Sequence, residues 1–198
     1  MFGIFVPIFY FCTVDKREQI IMAAMKLLVE RGIQATPMSA IAKAAGTGMG
    51  TIYNYFATKE DLINAIYLHI KTSEINQTLK NIPADASVKS KFLGYYTSFV
   101  TFYLKFPESF TFIDQMQNSP VIKEETKIIG KNALLPVYEL IIKGQQDGII
   151  KKYEIESMLN FLGGTITTFV RWRLGNNNID AENQLEQQLK MVWDAVKD

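Results

Sequence analysis

The chain has 198 residues, of which 48% are hydrophobic and 21% charged, and its formal net charge is +1. That length suits one or two small domains with a real core, and the near-zero charge excludes a global field that would attract a polyanion, so any nucleic-acid surface is local. The single cysteine (Cys12) excludes an internal disulfide and a cysteine-rich zinc site and suits a reducing compartment, and with the single histidine (His69) far from it in sequence little material is left for a Cys–His dyad or a metal site.

Residues 1–14 open with MFGIFVPIFYFC, almost wholly apolar and with no Lys or Arg before Lys16. As a helix this run would span roughly 18 Å, short of the ~30 Å hydrocarbon core of a bilayer. The basic leader and small-residue cleavage site of a signal peptide are missing. Three readings stand: a hydrophobic arm packed on the domain, an interfacial segment, or an extended start in which Val14 is the initiator. The packed arm and the extended start are favoured over membrane contact. No other segment approaches spanning length, so a soluble cytoplasmic body with no membrane partner is expected.

The elements that follow read as helices. Asp15 and Glu18 fit a capping box, and Ile20, Ile21, Ala24, Leu27 and Leu28 keep helical spacing up to Gly32. Thr36 suits an N-cap with Pro37 in the first helical position, and a second helix carries Met38, Ile41, Ala42 and Ala45 to Gly46. A short third helix runs over about Met49–Phe56. Thr58 and Asp61 form a second capping box, opening a helix to about Thr78 that carries Leu62, Ile63, Ile66 and Ile70 inward. Longer, more aromatic helices are expected over about Val88–Lys105, Pro107–Asn118, Val121–Gln146, Glu154–Leu174 and Asp180–Val196. No window alternates well enough to read as a strand. The expected fold is all-α, about nine helices in two parts. Three helices are expected over residues 15–62, a connecting helix over 58–78 and a larger helical part over 63–198.

The stretch AGTGMGTIYNYFATKEDL carries the functional signal. Two short helices around a glycine-containing turn, preceded by a third helix, are the parts of a helix-turn-helix. On a helical wheel Ile52 and Phe56 face inward toward Ile41 and Leu27. Gly50, Thr51 and Asn54 face outward, and Tyr53 and Tyr55 lie on the flanks. Small outward residues let a helix enter a major groove, where Thr51 offers a hydroxyl and a methyl to base edges, while flanking phenols reach phosphates. Lys59, in the first turn of the next helix, opposes the helix dipole unless a phosphate docks there. No acid lies between Glu30 and Glu60, whereas Arg31, Lys43 and Lys59 do.

The segment GIQATPMSAIAKAAGTGMGTIYNYFATKEDL resembles the DNA-binding domain of the TetR family of bacterial transcriptional regulators. Gly32, Thr36, Ile41, Ala42, Ala45, Gly46, Gly50, Thr51, Ile52, Tyr53, Tyr55, Phe56, Lys59 and Leu62 fall in register with its pattern. The resemblance implies that Thr36, Tyr53, Tyr55 and Lys59 contact phosphates and that Thr47, Met49, Gly50 and Thr51 lie at or near base edges. It covers roughly residues 16–62. Two departures stand out: Gly48 replaces a common capping Ser, and Met49 a common Lys. Base readout is therefore expected to lean on Thr47, Thr51 and apolar contact with thymine methyls.

Between Phe92 and Phe112 lie nine aromatics, which read either as core packing or as the walls of a cavity for a flat or lipophilic ligand. The resemblance implies an inducer pocket here, for which Tyr95, Tyr96, Phe99, Phe102, Tyr103, Phe110, Ile113 and Met116 are candidates. The last two helices carry apolar stripes, and Gly163-Gly164 would permit close helix crossing. Intrachain core is the plain reading. The resemblance implies a four-helix homodimer interface, with Leu159, Gly163, Ile166, Val170, Leu185, Leu189, Val192 and Trp193 as candidates.

Together these features imply a homodimeric repressor of a palindromic double-stranded DNA operator, released when a small lipophilic or aromatic effector shifts the 58–78 helix. The alternatives are an activator of the same fold and a helical protein-interaction module that does not bind DNA. No G-x-S-x-G, Walker loop, H-E-x-x-H or CxxC occurs, so no catalysis, metal site or cofactor is expected.

Overall fold

A computed structural model describes residues 15–80, 82–176 and 181–198, and the apolar arm considered for residues 1–14 lies outside them. Among the described residues there are ten α-helices and no strand. They are α1 (Lys16–Arg31), α2 (Met38–Ala44), α3 (Met49–Tyr55), α4 (Lys59–Lys80), α5 (Val88–Lys105), α6 (Pro107–Met116), α7 (Glu124–Asn132), α8 (Leu135–Gln146), α9 (Ile155–Gly175) and α10 (Ala181–Val196). None is long and apolar enough to cross a membrane.

Asp15 caps α1 by accepting from the Arg17 N–H at 3.4 Å, and Gly32 ends it with φ 78°. The expected cap of α2 differs. Pro37 is the N-cap, with no side-chain bond, and Thr36 turns away to donate to the Gly32 carbonyl (2.8 Å) and the Leu27 carbonyl (3.3 Å). The single hydroxyl proton of Thr36 is thereby shared between the carbonyl of the α1 C-cap and that of Leu27 in the preceding turn. Thr58 caps α4 as expected: the Asp61 N–H donates to its hydroxyl at 3.0 Å, and the hydroxyl donates to the Asp61 carboxylate at 2.7 Å.

The single helix expected over 121–146 is two. Pro136 lacks an N–H, and its ring would clash with the carbonyl four residues earlier. The chain therefore leaves the helix after Asn132 and restarts at Leu135 with the proline in the first turn.

One apolar core runs from α1 to α10. It takes Ile20, Ile21 and Leu28 from α1, Ile41 from α2, Ile52 from α3, and Leu62, Ile63, Ile66 and Ile70 from α4, then continues into the aromatics of α5 and α6. Helix α4 packs against α1 on one side and against α5 and α7 on the other. The α4–α7 approach is close because Gly130 has no side chain, and a Cβ there would lie 2.9 Å from the Tyr67 ring.

Candidate nucleic-acid interface and effector cavity

Helix α3 is fixed by its inward residues. Ile52 is fully buried and Phe56 nearly so, and the Arg17 guanidinium lies 5.4 Å from the Phe56 ring centre. The turn before it depends on Gly46, whose φ of 58° is a left-handed conformation that a Cβ disfavours. There the Thr47 N–H closes back on the Ala42 carbonyl at 3.0 Å. The opposite face of α3 is open: Gly48, Met49, Gly50, Tyr53, Asn54 and Tyr55 are exposed, and Thr47 and Thr51 are half-buried. Tyr53 and Tyr55 keep 49% and 44% of their surface accessible, so both phenols reach solvent from rings anchored on the helix.

Two of the side chains expected to contact phosphate already have partners within the chain. Thr36 is fully buried and its hydroxyl is spent on α1 carbonyls, so it builds the interface without offering a group to it. Lys59 is half-buried, not a bare surface cation. Its ammonium donates to the Ile33 carbonyl, and burial lowers its pKa below the ordinary lysine value. It therefore ties the α1–α2 loop to the start of α4, with two donors remaining.

In the C-terminal part a cavity of about 700 Å³ opens among α4, α5, α6, α8 and α9. Tyr95, Tyr96, Phe99, Tyr103, Phe110 and Ile113 line it, as do Phe92, Leu140, Ile141, Leu159, Leu162 and Ile166. Phe102 and Met116 do not. Phe102 packs on the rings of Tyr103 (5.4 Å) and Phe106 (5.1 Å), and Met116 is buried in the core. The Tyr96 hydroxyl donates to Thr165 Oγ1 (3.1 Å) and accepts from Gln188 Nε2 (2.9 Å). Burial raises the pKa of this phenol, and these two bonds pull the other way. For Tyr95 burial raises the pKa and Glu139 adds to it, so both phenols are neutral hydrogen-bonding groups in the wall.

Much of the stripe that the resemblance assigns to a dimer interface has partners within the chain, as the plain reading of intrachain core expects. Val170, Val192 and Trp193 are buried inside the chain, and Trp193 packs on Phe92 with ring centres 5.3 Å apart. Leu159, Gly163 and Ile166 line the cavity, and Leu185 and Leu189 pack on the core. Among the described residues of the chain nothing crosses close at Gly163-Gly164, since a Cβ at either would meet nothing within 4 Å. The open face of α9 and α10 is instead a shallow groove lined by Phe161, Gly164, Thr168, Trp172, Gln187 and Met191, in which Phe161, Trp172 and Met191 are exposed. Both faces of these helices carry apolar residues, and periodicity reports whichever is denser.

Asn64 is a functional candidate that the sequence reading missed. It is buried on α4, where its Nδ2 donates to the Val121 carbonyl (2.9 Å) and the Glu60 carbonyl (2.8 Å). Its Oδ1 accepts from the Lys123 N–H (2.9 Å). Lys123 also pairs with Asp61 at 2.6 Å. The 119–123 turn, which directly follows the cavity-lining Gln117 and Asn118, is thus strapped to the first turns of α4. An amide set between inward-facing Ile63 and Ile66 was the available signal, because a buried polar group must find partners.

Together, an exposed recognition helix on a tight core and an all-helical body enclosing a cavity describe a helix-turn-helix regulator. The comparisons agree. Residues 20–66 match the family model described as bacterial regulatory proteins, tetR family. The fatty acid metabolism regulator protein of Bacillus subtilis is 28% identical over 170 residues, 83% of this chain and 87% of the relative. Two solved structures share the fold. The TetR family transcription regulator from Marinobacter aquaeolei VT8 superposes with a TM-score of 0.85 at 23% identity, covering 92% of this chain and 96% of that one. The fatty acid degradation regulator FadR from Bacillus halodurans superposes at 0.73 with 20% identity, over 91% and 95%. Residues 20–66 are thus a DNA-binding domain of the tetR kind, and the relatives that match most of the chain are transcription regulators.

Proposed function

We propose that the protein is a repressor that binds a palindromic operator as a homodimer and releases it when a small lipophilic effector fills the C-terminal cavity. The observation that carries this reading is the shared use of α4. This helix packs on α1, whose Arg17 lies against Phe56 at the end of the recognition helix, and Lys71 on the same helix lines the cavity. A ligand that favours one position of α4 would therefore change where α3 stands, to the extent that it binds the two positions unequally. The Asn64 strap offers a second route, from Gln117 and Asn118 to the start of α4.

On the DNA side, Tyr53 and Tyr55 contact phosphates, with the two remaining donors of Lys59 beside them. Thr47, Gly48, Met49, Gly50, Thr51 and Asn54 face the base edges. Two copies pair through the α9/α10 face that exposes Phe161, Trp172 and Met191, so that two short recognition helices read one operator. The name of the Bacillus subtilis relative points to an effector drawn from fatty acid metabolism, which the aromatic and aliphatic cavity walls suit.

Fluorescence anisotropy tests the reading, using DNA from upstream of the protein's own gene, an unrelated duplex and a salt series. Specific binding that weakens steeply with salt and is largely lost in Tyr53→Phe/Lys59→Ala is expected. Binding to neither duplex at low salt would overturn it. Met191→Glu is expected to shift sedimentation equilibrium toward the monomer while the helical circular dichroism is kept, and an unchanged dimer would remove the α9/α10 assignment.

A further inference from the structure

The effector cavity and the α9/α10 groove share one rim. Asn160, Gly164 and Thr168 follow one another at a four-residue spacing along α9, so they form a single ridge. All three line the cavity, and all three line the groove. They are exposed, so nothing among the described residues covers this side of the cavity. The rim is lowest at its middle, where a Cβ on Gly164 would meet nothing within 4 Å. A chain of hydrogen bonds also joins the two spaces. Gln188 Nε2, from the groove, donates to the Tyr96 hydroxyl in the cavity wall at 2.9 Å. That hydroxyl donates to Thr165 Oγ1, again in the groove, at 3.1 Å, and Thr165 donates to the Leu162 carbonyl at 2.7 Å. At Tyr96 the cavity and the groove are therefore separated by one hydrogen-bonded layer.

Resting on the effector and homodimer readings above, we propose that the effector site is completed by the second copy. Seated on the α9/α10 groove, the second copy closes the open rim, so that pairing and effector binding reinforce each other. The groove suits a copy of itself. An isologous contact sets one patch against the same patch, so every group must be compatible with its own counterpart. Among the described residues of the groove none is charged, and two copies meet there without like-charge repulsion. Asn160, Gln184, Gln187 and Gln188 each carry a donor and an acceptor, so an amide can bond to its counterpart. Phe161, Trp172 and Met191 supply exposed apolar anchors of the kind an interface core uses. A surface for nucleic acid would present cations instead. With the copy seated, apolar effector surface along Asn160, Gly164 and Thr168 that a single chain leaves wet is covered. The effector in turn presses on Tyr96, and through it on Thr165 and Gln188 of the contact face. Coupling of this kind is reciprocal: the factor that pairing adds to effector affinity at each site, the effector adds to pairing. Release from DNA then proceeds with the two copies still joined.

The test uses N-phenyl-1-naphthylamine, a neutral aromatic probe, and the full-length protein. Sedimentation equilibrium gives the dimer dissociation constant with and without saturating probe. If pairing covers roughly 50 Å² of apolar probe surface at each site, affinity per site rises about tenfold. Two such sites are expected to tighten the dimer on the order of a hundredfold. In the reverse direction, fluorescence titration of Met191→Glu as a monomer is expected to show probe binding about tenfold weaker than in the unaltered dimer. If Met191→Glu does not fold, dilution of the unaltered protein through its dissociation range makes the same comparison. A dimer constant unmoved by bound probe would overturn the proposal and leave the cavity as an effector site of one chain. Weaker pairing would overturn it too, because the probe would then be occupying the groove. A chain that is monomeric throughout would sink both the proposal and the homodimer reading, and leave the groove to another protein. Failure of the probe to bind at all would remove the proposal together with the lipophilic-effector reading. The anisotropy assay on DNA is independent of these measurements, so the DNA-reading function is judged separately.

Discussion

The two ends of the molecule use buried surface in opposite ways. Around α3 the inward residues are aliphatic and completely enclosed: Ile20, Ile21, Leu28, Ile41, Ile52 and Leu62 have no accessible surface. Around α5 the inward residues are mainly aromatic, and they leave about 700 Å³ unfilled. Branched aliphatic chains with few rotamers fill space and hold a short helix in one place. Flat rings braced at their edges, as Tyr103 is by Phe102 and Phe110, can wall a void without collapsing into it. A reader of DNA requires the first kind of packing, and a receptor for a small molecule requires the second.

Truncations sharpen that contrast most. Phe112→Ala removes a fully enclosed ring and is expected to cost about 3–5 kcal/mol, read as a fall in the urea midpoint. Phe99→Ala takes away a ring that already borders the cavity. The space it leaves merges with an existing void, so its cost is expected to be clearly smaller. Equal costs would mean that the cavity is closed in solution.

Next in size is the strap between the two ends. Asn64→Ala strands the Val121 carbonyl and the Lys123 N–H, and a loss of about 1–3 kcal/mol is expected. If the strap carries the signal, this variant also keeps operator affinity in the presence of an effector that releases the unaltered protein. Full release would sever the route through Asn64.

Gly46→Ala probes the turn that places α3. Forcing a Cβ into φ 58° is expected to cost about 1–2 kcal/mol, visible as a lower thermal midpoint together with weaker DNA binding.

The smallest effect is the Asp61–Lys123 pair, which is exposed and screened by solvent. The hydrogen bond from Lys123, and then that with Thr58, holds the Asp61 carboxyl below the usual aspartate range. A lowered pKa contributes stability above the unfolded value, and that contribution is lost as pH falls through the folded value. Asp61 in turn raises the pKa of Lys123, whose contribution is lost only as pH rises through its folded value, in the alkaline range. Lys123→Met is therefore expected to lower the thermal midpoint slightly at neutral pH and to match the unaltered protein in acid. A difference that persists in acid would show that Lys123 acts through packing.

Local chemistry is legible in a sequence because its causes lie within a few residues. The caps at Asp15 and Thr58, the stop at Gly32, the left-handed Gly46 and the inward Ile52 of α3 all follow from bonds and spacings inside one or two turns. The break before α8 belongs here as well: Pro136 announced it, although the apolar run on either side masked the signal. Thr36, Lys59 and Asn64 are different. Each is polar and each looks available, and only folding decided that Thr36 would close the end of α1, that Lys59 would reach back to Ile33, and that Asn64 would hold a turn lying 57 residues away.

The same limit applied to α9 and α10, where the stripe that the resemblance assigns to a partner surface packs largely as core and cavity wall within the chain. The sequence by itself determined the all-α class with about nine helices, one of which is divided to make ten, and which turn residues would present α3. Tertiary structure alone decided which face of each doubly apolar helix stays open and which aromatics stop short of filling the interior. Periodicity specifies that a face is buried; what buries it depends on groups brought together from distant parts of the chain.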